Sequence, residues 1–209
     1  MYKFEAQFII QKILERHPFP GWRPEEAFSV VEDQMSRLEF DLLFPYGVQS
    51  LLNEYRGHLI NLLSNAINVG LSKDIGVTGK IRWIFQKHFE QIISYTEAEQ
   101  AAISTIYRPS SILHTPAYVG DLMDLIWRAA GDESNDINYY TKRMSLGVIY
   151  VVTLLYWYQS NASIDEIMQF FDDRLNNLKT VTTTAKQCVS TPNNIMKNFH
   201  LLRQVFWDK

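Results

Sequence analysis

Apolar side chains recur at three- and four-residue intervals through most of the chain, which is the signature of amphipathic helices rather than strands. Phe4, Phe8, Ile9 and Ile13 form a first such stripe, and the pattern stops at His17-Pro18 because a residue before proline is pushed out of the helical region. Pro24 followed by Glu25-Glu26 predicts a second helix start, running to about Met35, with proline in the first turn and acids at the positive end of the macrodipole. Ser36 and Glu39 have the spacing of a capping box for a short third helix ending before Pro45. A fourth helix is predicted from Val48 to about Asn68, carrying Leu51, Leu52, Tyr55, Leu59, Leu62 and Leu63. Gly70 to Gly79 reads as a loop, followed by helices over about Val77–Tyr95, Glu97–Tyr107 and Pro116–Ala130. The last of these stacks Val119, Met123, Ile126 and Trp127 on one side.

The stretch from Gly131 to Ser160 is different in kind. Ser134, Asn135, Asp136 and Asn138 are all capable of capping a helix, and no glycine or proline interrupts Ile137 to Leu146. From Leu146 to Tyr158 the chain is almost wholly apolar, yet this run falls short of the roughly 20 residues needed to cross a bilayer, so a core helix is expected. Its head presents Tyr139, Tyr140, Lys142 and Arg143, which makes it a candidate docking surface. Ser163 and Glu166 form a second capping box, opening a helix through Ile167, Phe170, Phe171, Arg174, Leu175 and Leu178. The β-branched run Thr180 to Thr184 is where that helix is expected to loosen.

The segment from Pro192 to Lys209 predicts one more amphipathic helix. Ile195, Phe199, Leu202 and Phe206 lie in a narrow stripe, Arg203 borders it, and Trp207 sits near the end where an amphipathic ring suits the headgroup level of a membrane. Residues 175–209 hold five Lys/Arg against one Asp/Glu, whereas residues 1–174 hold 15 against 22. The basic tail is therefore expected to draw this stripe onto an anionic membrane surface while the acidic body is held away. The same stripe would also serve for packing on the protein's own body or on a second copy.

Composition narrows the function classes. With 209 residues, 46% hydrophobic and 21% charged, the chain is an ordinary globular one, and a single helical domain over residues 1–191 is expected, with a head at 1–47 and a body at 48–191. One cysteine, Cys188, allows no internal disulfide, and the acidic first residues read as a helix rather than a cleaved signal, which favours a cytosolic or organelle-interior protein. Three helices in about 45 residues have the layout of a helix-turn-helix head, but residues 1–50 carry five Lys/Arg against eight Asp/Glu, the wrong balance for neutralising phosphates. A ligand-responsive repressor is thus the alternative rather than the expected function, and no nucleic-acid partner is expected. Gly79-Lys80 lacks the upstream glycine and following hydroxyl residue of a P-loop. The five histidines, His17, His58, His88, His114 and His200, are scattered, no HExxH, CxxC or GxSxG occurs, and neither a catalytic nor a metal site is expected.

Gly131, Asp132, Ser134, Asp136, Asn138, Tyr140 and Arg143, followed by the apolar helix and by Thr184-Ala-Lys-Gln187, resemble the lipid-binding accessory family of coenzyme Q (ubiquinone) biosynthesis, a branch of the TetR-like helical fold. The likeness extends more loosely to His17-Pro-Phe-Pro-Gly-Trp22 and Leu43-Phe-Pro-Tyr-Gly-Val48. It implies an all-α, TetR-like homodimer of about nine to ten helices, without catalysis of its own and without a cofactor beyond a bound isoprenoid lipid or quinone intermediate. It further implies presentation of that lipid to the di-iron demethoxyubiquinone hydroxylase on the inner membrane, from the cytoplasmic side or the mitochondrial matrix. The family's partner patch maps onto Asp136, Tyr139, Tyr140 and Arg143, with tyrosine at 139 where the family usually shows tryptophan. Together with the aromatic load of the middle helices, the resemblance predicts a lipid cavity lined by Phe85, Phe89, Trp127, Tyr150 and Trp157.

Overall fold

The computed structural model describes residues 2–106, 115–134 and 137–188. Among them are nine helices and no strand: α1 (Tyr2–Glu15), α2 (Pro24–Phe28), α3 (Arg37–Leu43), α4 (Val48–Gly70), α5 (Val77–Ser94), α6 (Thr96–Ile106), α7 (Thr115–Ala129), α8 (Ile137–Ser160) and α9 (Ile164–Cys188). The protein is all-α. The chain divides into two compact units, Met1–Asp132 and Glu133–Lys209.

In the first unit, α4 packs against α1, α5 and α7, and α5 against α6 and α7. Ile9, Ile10 and Ile13 of α1 meet Leu51, Tyr55 and Leu59 of α4 in a core that also takes Trp22, Phe40, Phe44 and Ala102. Phe8, counted with the apolar stripe from sequence, is half exposed instead. Trp22 fixes the Phe19–Arg23 connection: its Nε1 donates to the Ala98 carbonyl at 2.8 Å and its ring lies 4.8 Å from that of Tyr55. The predicted second helix ends early, at Phe28, and turns carry the chain to Met35. The Ser29 hydroxyl donates to the Glu26 carbonyl at 2.8 Å, and such local side-chain bonds compete with helix propagation. At Ser36 the capping box forms as expected, with Ser36 N–H and Oγ both 2.7 Å from Glu39 Oε2. Those hydrogen bonds hold the Glu39 carboxyl below the usual carboxylate range.

The helix α7 ends in a left-handed residue, Gly131 (φ 94°), whose N–H reaches the Arg128 carbonyl while Asp132 N–H reaches that of Trp127, each at 2.9 Å. This pair of bonds is a Schellman motif and closes α7 where the sequence turns polar. In the second unit α8 and α9 pack along each other, with the rings of Tyr156 and Phe170 stacked at 4.4 Å and the Arg174 guanidinium 4.6 Å from the Phe170 ring centre. Asn161 (φ 54°) ends α8, and the Ser163–Glu166 capping box starts α9, with Ser163 N–H donating to Glu166 Oε2 at 2.8 Å. Through Thr180 to Thr184, where loosening was expected, α9 continues as helix.

Candidate functional site

The head of α8 offers one candidate surface. Arg143 stacks its guanidinium over the Tyr139 ring at 3.5 Å and donates from Nη1 to the Tyr139 carbonyl at 3.2 Å, so the two side chains lock together along one turn. Arg143 is only 8% exposed and Tyr139 is half-buried. Neither projects as a free anchor. Tyr140, edge-on to Tyr139 at 5.0 Å, does: it is 66% exposed, and Met144 one turn on is 72% exposed. Val148 and Val151 continue the exposed face along α8. Lys142 is drawn back to Ser134, its Nζ donating to Oγ at 2.8 Å. Asp136, the fourth residue predicted for this patch, lies outside the described residues, as do Ile195, Phe199, Leu202, Arg203, Phe206 and Trp207 of the predicted membrane helix.

The predicted lipid-lining residues distribute over both units. Phe85 and Phe89 on α5 are wholly buried and stack on each other at 5.1 Å, and Trp127 on α7 is half-buried. Tyr150 and Trp157 are buried along α8. An open depression of about 520 Å³ in the first unit lies elsewhere, between the Phe19–Arg23 connection and α6.

A second constellation in the first unit escaped the sequence reading. Tyr55 and Arg56 of α4, His88 of α5, Glu99 of α6 and Tyr118 of α7 are all buried. Tyr55 donates its hydroxyl proton to Glu99 Oε2 at 2.9 Å, Arg56 lies 4.5 Å over the Tyr118 ring, and the Tyr118 hydroxyl sits 3.3 Å from His88 Nε2. Burial pushes the Glu99 carboxyl up, opposed by the Arg56 charge and the Tyr55 hydrogen bond, and it pushes the Tyr55 phenol well above its ordinary value. The same loss of water pulls the His88 imidazole down to about 3, against a raising hydrogen bond to Gln91. The imidazole is therefore neutral at pH 7. The signal was present in the stripes themselves: His88 falls at the core phase of α5 between Phe85 and Ile92, and Glu99 is flanked by buried Ala98 and Ala102.

These arrangements bear on chemistry. No group of three or more His, Cys, Asp or Glu side chains that could hold a metal occurs among the described residues. In residues 1–47, expected to form a helix-turn-helix-like head, Leu38 and Leu42 are exposed on α3, while Arg37 is held by Asp41 at 2.9 Å and lies near Glu25 at 4.0 Å, so its charge is already countered. No helix among the described residues is long and apolar enough to cross a membrane.

Comparison with known proteins now adds to this geometry. A family model described as COQ9 matches residues 112–182. The chain is 28% identical over 201 residues to the mitochondrial ubiquinone biosynthesis protein COQ9 of Rattus norvegicus, covering 91% of this chain and 64% of the relative. Against the Homo sapiens protein of the same name it is 31% identical over 112 residues, covering 53% of this chain and 35% of the relative. Against that of Xenopus tropicalis it is 29% identical over 126 residues, covering 60% and 40%. The chain thus spans from about a third to just under two thirds of the length of these relatives. The coenzyme Q biosynthesis family that the run from Gly131 to Gln187 resembles is the family matched, and the likeness to COQ9 is carried by residues 112–182, through α7, α8 and most of α9.

Proposed function

We propose that the protein works in ubiquinone biosynthesis as a non-catalytic lipid carrier that binds an isoprenoid quinone intermediate and presents it to the di-iron demethoxyubiquinone hydroxylase at a membrane. The observation that carries this reading is the exposed Tyr140–Met144–Val148–Val151 face at the head of α8, which falls inside the segment matching the COQ9 family. An aromatic ring standing 66% exposed beside a flexible thioether, over a locked Tyr139–Arg143 base, has the make-up of a protein-docking anchor. The rat and human relatives are named as mitochondrial. A eukaryotic source would accordingly put this protein on the matrix side of the inner membrane, and a bacterial source on the cytoplasmic side. The carrier acts as a homodimer in this reading, and its lipid lies among Phe85, Phe89, Trp127, Tyr150 and Trp157. The repressor alternative draws no support from α3, whose exposed side chains include Leu38, Leu42 and the acids Glu39 and Asp41 and whose Arg37 is paired.

Tyr140→Lys is expected to weaken copurification with the hydroxylase at least thirtyfold, as loss of a central aromatic anchor does. The melting temperature should stay within about 2 °C of the parent, because an exposed ring contributes little to the fold. Organic extraction followed by mass spectrometry reports in parallel whether isoprenoid lipid still copurifies. An undiminished complex rejects Tyr140 as the anchor, and lipid-free protein expressed beside a working quinone pathway rejects the carrier.

A further inference from the structure

We infer that the tip joining α4 to α5 is a membrane-contact surface for anionic phospholipid, built from residues other than those of the C-terminal segment and the head of α8. Val69 at the end of α4 is 92% exposed, and Ile75 and Val77 across the turn are 37% and 48% exposed. These apolar side chains are backed by a half-buried aromatic. A Cβ added to Gly70 would come within 3.0 Å of the Trp83 ring, so the absence of a side chain there is what lets Trp83 lie over the end of α4. Ile75 rests in the same way on Gly79, 3.5 Å from where a Cβ would stand. Exposed aliphatics beside an amphipathic ring suit the headgroup boundary of a bilayer.

Charge decides the occupant. In residues 1–174 acids outnumber cations, 22 to 15, yet from Asn68 to Phe89 there are four cations, Lys73, Lys80, Arg82 and Lys87, against one acid, Asp74. Lys87 is spent on Glu90 at 2.6 Å, while Lys73 and Lys80 flank the apolar tip and no acid lies in the first turn of α5. Leu38, Leu42 and Tyr46, also exposed in the first unit, are interleaved with Glu39 and Asp41 and would be repelled by an anionic surface. The α4–α5 tip combines aliphatic exposure with nearby lysines, the pairing that holds a protein to acidic lipid. This contact goes beyond the carrier reading and does not depend on which lipid is carried.

The test places an environment-sensitive nitrobenzoxadiazole label on Val69→Cys in the full chain, with Cys188→Ser so that one thiol reacts. With vesicles of phosphatidylcholine containing about 30% phosphatidylglycerol, the label should blue-shift and brighten, with no change on pure phosphatidylcholine. Lys73→Gln with Lys80→Gln should weaken the response about thirtyfold, following the usual contribution of a cation close to an anionic surface. The response should persist when Phe199→Glu and Phe206→Glu disable the C-terminal stripe. A silent label on protein that nonetheless floats with vesicles overturns the inference, as does a response untouched by removing the two lysines. A shift that grows with protein concentration without vesicles also overturns it, since it assigns the tip to a second copy. Failure of the carrier reading shows separately, in the extracted lipid and the hydroxylase complex.

Discussion

Replacing Glu99 by alanine is expected to cost about 3–5 kcal/mol of stability in urea unfolding, because it breaks a buried charged network from one side. The carboxylate accepts the Tyr55 hydroxyl at 2.9 Å and interacts electrostatically with buried Arg56. Its removal takes the acceptor from a buried phenol and withdraws a negative charge from the field of buried Arg56. Glu99→Gln keeps an acceptor for Tyr55 and should cost about half as much. Paired replacement, Arg56→Met with Glu99→Leu, should cost less than the sum of the single changes, since neither charge is then stranded. If Glu99→Ala costs under about 1 kcal/mol, or the pair is simply additive, the five side chains are not an energetic unit.

That network shows where a sequence stops being legible. Capping boxes at Ser36 and Ser163 were readable because their bonds span three residues, and both form. The stripes of α4 and α5 were readable because burial follows helical phase, and Leu51, Leu59, Ile84 and Phe85 are buried. A polar residue inside such a stripe marks a conflict, but its resolution needs a partner from another helix, and periodicity carries no information on which helix that is. Arg56 finds Tyr118 across 62 positions, and Tyr55 finds Glu99 across 44. In α8 the difficulty is the reverse. A helix apolar nearly all round has no phase to read, so the exposure of Met144, Val148 and Val151 and the inward lock of Arg143 onto Tyr139 come only from the packed structure. The end of α2 at Phe28 was missed because Ser29 looks like any polar surface residue until its hydroxyl is seen to bond backward to Glu26.

Between pH 7 and 5 the protein should lose stability with a slope set in large part by His88. The imidazole titrates at 6.5 in the unfolded chain and near 3 in the fold, so from 6.5 downward the unfolded state takes up a proton that the folded state refuses. The neutral-histidine contribution is complete above pH 6.5 and is lost progressively as pH falls toward 3, at about 1.4 kcal/mol per pH unit, or about 2 kcal/mol by pH 5. Glu99 runs the other way. Its folded-state value lies above the ordinary 4.5, so its contribution is complete below 4.5 and is lost as pH rises through the folded value. The two are separated by His88→Gln, which leaves Glu99 in place and offers Tyr118 an amide that does not titrate. Urea midpoints measured at pH 7, 6 and 5 should show the parent falling more steeply than the variant by nearly one proton's worth. Proton NMR of the parent should find the His88 ring still neutral at pH 5, because protonating it would require hydrating a fully buried site or letting the helices around it part. Parallel stability curves for the two proteins, or an imidazole that titrates near 6.5, would show that water reaches this cluster and that its burial is not what sets the acid limb.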